Sequence, residues 1–369
     1  MFISSDKKFR YRDLLGFSTE AFKASGFPEN DAILASEVLL NADLRGVDSH
    51  GLARLSGYFR LKAKNRIKTN PEIRVVHETL STATVDADSS LGLVSGPFAM
   101  KLAIEKAKTA GTGWVAVKGS NHFGIAGYHA MLALEHDMIG IAMTNASPLV
   151  APTFSTERML GTNPMAFAIP AGKQPAFVAD FATTTAANGK LEILQRKGLP
   201  APAGWIQDSN GNSSNNPFEL SSGGALLPLG SDREHGSHKG YCLGAVVDIL
   251  SAVLSGANFG PWVPPFVAFL EPPNDPVGEG IGHFFGAMRI DAFRPASHFK
   301  ASMDVWINRF RSSSRINADV PVEIPGDFER FTYAERMQSG IPLHEKVIED
   351  LRSIADQLGL EFPEAITEQ

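Results

Sequence analysis

A single cysteine, Cys242, in 369 residues excludes an intramolecular disulfide and points to a reducing compartment, with the cytoplasm as the expected location. Long uncharged apolar runs are missing too. The longest mostly apolar stretch, Tyr241 to Phe259, is cut by Asp248 and falls short of the roughly 18 residues of a membrane span, so it reads as a buried helix. The first residues are charged by Asp6, which argues against a secretory leader. Clustered basic residues are lacking, and a formal net charge of -6 offers neither nucleic acid nor an anionic membrane a surface to hold. No repeat or low-complexity block interrupts a composition of 43% hydrophobic and 20% charged residues, which suits a globular enzyme with room for two or three subdomains.

Familiar site signatures are absent as well. Ala116 stands where a third glycine would complete a dinucleotide fingerprint after Gly111 and Gly113, and Gly278, Gly280 and Gly282 precede a strand where such a turn should precede a helix. There is no P-loop, no His-Glu-x-x-His and no cysteine pair, and the 10 histidines are scattered, so no metal is expected. Ser49 adjoins its candidate His in sequence and lacks a Gly-x-Ser-x-Gly elbow, which argues against a serine hydrolase.

What is present is the stretch RGVDSHGLARL, Arg45 to Leu55. Gly46 and Gly51 bracket Asp48, Ser49 and His50, allowing a sharp turn and close approach to a small ligand. His50 can exchange a proton near neutrality, and an arginine such as Arg54 presents a fork that matches a carboxylate. A base beside a carboxylate clamp suits a 2-hydroxy or 2-keto acid. The alternative reading is a surface loop with a capping serine and a solvated histidine.

Along the chain, apolar spacing predicts helices over 13–25, from an Asn30 cap to Leu44, over 57–64, 96–110, 126–136 and 299–310, and from His344 to Leu358. Strands are expected at 73–76, 83–85, 114–117, 139–143 and 282–288, while 161–170 and 177–190 read as loops. Residues 200–230 form a loop-rich excursion. Alternation of strands and helices argues for an α/β layer in 76–294, with mainly helical segments 1–75 and 295–369 making a second, substrate- and dimer-associated domain. The apolar segment Gly256 to Phe269 suggests a self-association face.

Several long strings resemble the malate/L-lactate dehydrogenase family, which includes L-sulfolactate and ureidoglycolate dehydrogenases. They are DSHG at 48–51, SNHFGIAGY at 120–128, GTNPMAFAIPAG at 161–172, ATTTAANGK at 182–190, LLPLG at 226–230, KGYCL at 239–243 and GHFF at 282–285. The resemblance, spanning roughly residues 10 to 330, implies a three-layer α/β fold with a mixed sheet and no usual Rossmann fingerprint. It implies a homodimer using NAD or NADP on a small 2-hydroxy or 2-keto acid. Alternatives are reduction of a cyclic imino acid or a diketo sugar acid, or a non-catalytic dinucleotide-binding relative.

The resemblance places cofactor contacts at Asn121, His122, Phe123, Gly124 and Ile125, at Asp180, Phe181 and Ala182, at Lys190, at His238 and Lys239, and at Gly326 and Asp327. It puts acid/base chemistry on His50 beside Ser49, or on His122, with Arg54 and Thr162 toward the substrate. Three departures are Cys242 in place of a usual glycine, an extra DREHGSH before Lys239, and Asp327 where Glu is commoner. Lys190 matches the hydroxy-acid branch; the imine-reducing branch tends to carry Asp there.

Overall fold

Strands form where β-branched and aromatic residues lie between glycine- and proline-marked turns. The computed structural model describes residues 6–366. In chain order the structure runs β1 (Lys7–Phe9), α1 (Tyr11–Ala24), α2 (Glu29–Leu44), α3 (Leu55–Ala63), β2 (Arg74–Glu78), β3 (Thr82–Asp86), α4 (Gly92–Ala110), β4 (Thr112–Ser120), α5 (Ala126–Met131), β5 (Met138–Thr144), β6 (Met165–Ile169), β7 (Phe177–Phe181) and α6 (Asn188–Lys197). It continues with β8 (Ile206–Gln207), β9 (Ser213–Ser214), β10 (Ala225–Leu226), α7 (Ser237–Asp248), β11 (Ile281–Arg289), α8 (Ala296–Arg311), α9 (Asp327–Ser339), β12 (Ile341–Leu343) and α10 (Glu345–Leu358).

Seven strands make one mixed sheet in the order β2-β3-β4-β11-β5-β6-β7, parallel only between β3 and β4. Both faces are covered. On one, Ala99, Met100, Ala103 and Ile104 of α4 pack on Val85, Val115, Val117, Phe285 and Ala287. On the other, Val247 of α7 packs with Ala116, Ile141, Met143 and Phe284, completing three layers. Neighbouring residues of β11 serve opposite layers, as the two-residue strand period requires. A second core joins α1, α2, α3 and α10, closed by pairing of β1 with β12. No helix among the described residues is long and apolar enough to cross a membrane.

Several expectations need correction. The expected 161–170 loop contains strand β6, and the expected 177–190 loop contains strand β7 and the first residues of α6, with loop between them at 182–187; β7 pairs with β6 in register, a partnership that only the tertiary structure reveals. The helix over 126–136 breaks after Met131 into a separate 3-10 turn, Leu134–His136. Helix α2 begins after Pro28 with no side-chain cap from Asn30. Helix α9 went unpredicted. The excursion at 200–230 carries a three-stranded sheet, β10-β8-β9, over its own small core of Leu149, Leu191, Ile206 and Leu226.

Helix α8 is tied to the sheet. Asp304 accepts the backbone N–H groups of Gly172, Lys173 and Gln174, and Lys300 pairs with Asp137. The 241–259 segment is not a buried helix: α7 and the π-helical turn Ile249–Val253 expose Tyr241, Val246, Ile249, Val253 and Leu254. By contrast, the 256–269 segment buries Val263 and Phe266 in the chain's own interior.

Candidate active site

Asp43 and Gly51 shape the Arg45 to Leu55 stretch. Helix α2 ends at Leu44, and Gly46 turns the chain at φ +80°. Behind the turn, the buried Asp43 carboxyl accepts the Leu52 N–H at 2.8 Å. A Cβ on Gly51 would fall 2.0 Å from that carboxyl, so only glycine fits. Burial pushes the Asp43 carboxyl up to about 8, keeping it largely protonated at neutrality. Arg336 of α9 reaches over to the Asp43 carbonyl and the Asp48 carboxylate.

Ser49 Oγ lies 2.8 Å from His50 Nδ1. Arg54 Nε donates to the Ser49 carbonyl at 2.6 Å, while both Nη atoms donate to Glu192 of α6 at 3.2 and 3.0 Å. Asn188 holds the same Glu192 carboxylate at 2.7 Å. Arg54 is therefore a brace between loop and helix. Its fork faces Glu192, and it borders two small cavities of about 110 and 170 Å³.

The His50 and His122 rings stack at 5.6 Å, and His122 rests on Phe266 at 4.5 Å. His122 Nδ1 accepts from the Tyr58 hydroxyl at 2.7 Å and the Gly124 N–H at 3.3 Å, which puts a neutral ring's proton on Nε2. Burial lowers His50 to about 4, with the Arg54 charge adding to the shift. His122 is pushed well below the usual histidine range by burial and by His50 and Arg54. Both are neutral at pH 7.

The loop beneath is anchored from below. His283 bonds Ser120 Oγ and Thr144 Oγ1, each at 2.7 Å, and Asn121 Nδ2 donates to the Arg66, Ser89 and Ser90 carbonyls. Gly92 at the start of α4 meets the Asn121 and His122 carbonyls so closely that a Cβ would lie 2.1 and 2.6 Å from them.

His50 opens onto a cavity of about 500 Å³, within the ~300–1,000 Å³ range of small-molecule sites. Ser49, Gly124, Ile125, Thr162, Asp180, Phe181, Ala182 and Lys190 line it, so the structure brings these expected site residues together. Asp180 accepts the Gly127 N–H at 2.7 Å through one oxygen. Although the residue is exposed, desolvation of the carboxyl in the cavity wall pushes it up to about 6, opposed by that bond and by Arg45. Arg45 and Glu329 share the wall. The neutral histidine, free carboxylate oxygen and cationic groups fit a polar organic ligand of dinucleotide type.

Other expected residues lie elsewhere. Asn121 and Phe123 are buried supports of the loop, Phe123 sandwiched between His129 and His283. His238 and Lys239 begin α7 outside this cavity, His238 beside Arg233 at 2.5 Å. Gly326 immediately precedes α9, and Asp327, its first residue, is engaged by Arg311 at 2.7 Å, by Arg330 and by the Ile324 N–H, leaving its carboxylate committed to the fold. Tyr58, Glu192 and Glu329 escaped the sequence reading. Each stands in no motif of its own and matters only through a distant partner.

A family model for malate/L-lactate dehydrogenase matches residues 9–352. The chain is 42% identical over 349 residues to malate dehydrogenase of Pyrococcus horikoshii, covering 94% of each chain. The structure of that archaeal protein superposes with a TM-score of 0.89 over 98% of this chain and 99% of the other. L-sulfolactate dehydrogenase of Methanocaldococcus jannaschii is 35% identical over 94% of this chain and 96% of its own. More distantly, delta1-piperideine-2-carboxylate reductase of Pseudomonas syringae is 26% identical with a TM-score of 0.81, covering 95% of this chain and 100% of the other.

Proposed function

Because the chain belongs to the malate/L-lactate dehydrogenase family, and so is an oxidoreductase of 2-hydroxy acids, we propose that His50 exchanges the substrate's hydroxyl proton in a dehydrogenase using NAD or NADP. The supporting observation is His50 itself: neutral, bonded through Nδ1 to Ser49, and open to the cavity. When bound, the nicotinamide accepts or supplies the hydride at substrate C2.

For oxidation, His50 donates Nδ1–H to Ser49 Oγ and keeps the Nε2 lone pair for the hydroxyl proton. Ser49 is held in turn by Arg54, which Glu192 fixes, so the catalytic ring is oriented through two linked side chains. Arg54 thus acts as a positioning residue. His122, off the cavity and bonded to Tyr58, backs the His50 ring. Thr162 and the Asp180 to Ala182 strand end supply polar contacts to substrate and cofactor.

The test is a panel of 2-keto acids, including oxaloacetate, pyruvate and sulfopyruvate, with a cyclic imine as comparator, assayed by loss of NADH or NADPH fluorescence. Calorimetric titration with each dinucleotide accompanies it. We expect binding of one dinucleotide and turnover of at least one keto acid. Absence of heat and of thermal shift with both dinucleotides would sink the reading.

We also propose a homodimer working in a reducing cytoplasm. The supporting feature is the apolar outer face of α7 and the following turn, where Tyr241, Leu243, Val246, Ile249, Val253 and Leu254 are exposed. Cys242 is an exposed free thiol on the same helix, consistent with reducing surroundings. Sedimentation at micromolar concentration is expected to give twice the 39.7 kDa chain mass, and Val246→Glu together with Val253→Glu to shift it to monomer. Wild-type protein sedimenting at the single-chain mass contradicts the proposal.

A further inference from the structure

Three aspartates and one arginine are buried among the described residues, and the aspartates are satisfied. Asp43 accepts the Leu52 N–H, Asp248 is bonded to Asn145 and the Gly260 N–H, and Asp327 to two arginines. The fourth is Arg45, 8% exposed, whose guanidinium has no hydrogen bond or ion pair to any described residue. Asp180 and Glu329 are close enough to attract it electrostatically, yet neither is within bonding distance. A desolvated guanidinium without a partner is costly, and it offers five N–H donors in a planar fork to whatever enters. It stands in the wall of the 500 Å³ cavity that also holds His50.

We infer that Arg45 is the anion receptor of this cavity, taking an oxyanion of the bound ligand. This rests on the dehydrogenase reading above and assigns the role that the sequence suggested for Arg54. Arg54 has its fork filled by Glu192 and does not border the cavity. Lys190, the other cation of the wall, is exposed and lies over the Trp205 ring at 5.8 Å. Asp180 and Glu329 attract Arg45 without using its donors, Arg330 adds a second cation nearby, and the Arg45 fork stays available to one anionic group. Two sources supply such a group: the carboxylate of a 2-hydroxy acid or a phosphate of the dinucleotide. Bidentate geometry serves both.

Titration of the whole protein separates them. NADH is titrated first, then oxamate, a 2-keto acid analogue, into NADH-saturated protein, for wild type, Arg45→Gln and Arg45→Lys. One affinity is expected to fall at least about tenfold in Arg45→Gln, as charged hydrogen bonds imply, with partial recovery in Arg45→Lys. A fall confined to oxamate places the carboxylate there; a fall already present for NADH places a phosphate. The ligand-free melting temperature of Arg45→Gln should not drop, since no bond is lost; a structural arginine would lower it. If Arg45→Gln fails to fold, Arg45→Lys decides, because it keeps the charge and loses the fork.

Affinities for both probes within about twofold of wild type would overturn the assignment. Failure of the dehydrogenase reading looks different: wild-type protein then binds neither NADH nor NADPH. The Arg45 assignment is in that case decided by oxamate alone, and wild-type protein that does not bind oxamate, or binds it as well with Arg45→Gln, overturns it too.

Discussion

Replacing His50 by glutamine is expected to lower kcat by ~10²–10⁴-fold, the usual worth of a positioned proton-transfer group, while dinucleotide affinity stays nearly constant. Glutamine can still bond Ser49, so the loop keeps its shape and the loss reports proton transfer. The pH profile adds a second readout. Burial and the neighbouring Arg54 charge depress His50 to about 4, so the neutral base persists from neutrality down to that value. For oxidation of the hydroxy acid, the acid limb of kcat/KM due to His50 should fall near 4, separate from any change near 6 where Asp180 of the same cavity titrates, and His50→Gln should lack the limb near 4. His122→Gln is the comparison. It should loosen the ring beneath His50 and cost less. If His122→Gln abolishes the chemical step and His50→Gln spares it, the two roles are exchanged.

Gly92→Ala is expected to destabilise the protein by ~1–3 kcal/mol and to reduce kcat by up to about 100-fold, although residue 92 touches no ligand. The added Cβ would meet the carbonyls of Asn121 and His122 at 2.1 and 2.6 Å. Both obstacles are backbone, so no side-chain rotation relieves the clash. Either α4 backs away from the sheet or the Asn121 to Gly124 loop shifts under His50. The same substitution at Gly16, on the exposed side of α1 with nothing within 4 Å of its Cβ, should instead stabilise by ~0.4–1 kcal/mol. Thermal unfolding and steady-state kinetics of the pair check both signs. Gly92→Ala with wild-type stability would mean that the helix and loop approach each other less closely.

The stretch around His50 was legible because its meaning is local: two glycines, a serine and a histidine form a tight turn whatever surrounds them. Arg54 was legible as a cation, but its pairing with a carboxylate of the protein itself was not. Its partner, Glu192, lies 138 residues away, and nothing in the spacing around Arg54 announces it. The outward apolar face of α7 shows the same pattern as an inward one, so hydrophobicity alone placed Tyr241 to Phe259 in the interior. Strand β7, FVADF, was hidden because it is short and runs straight into the Thr- and Ala-rich loop 182–187, and its strand character rests on pairing with β6. Periodicity was a better guide where packing and sequence agree, as in α10, whose Val347, Leu351 and Ile354 form one buried stripe.

Strand β11 lies between β4 and β5 yet is made from residues 281–289, well over a hundred positions after either neighbour. During synthesis, β4 and β5 leave the ribosome long before the strand that joins them exists. Each must hold an unpaired edge in the meantime, a row of free N–H and C=O groups open to other chains. A nascent chain halted before residue 281 therefore has its sheet in two halves with sticky seams, and release of the last quarter completes both at once. The protein's dependence on chaperones should thus be greatest late in translation, and its full-length form should be far less prone to aggregate than any C-terminal truncation that removes β11.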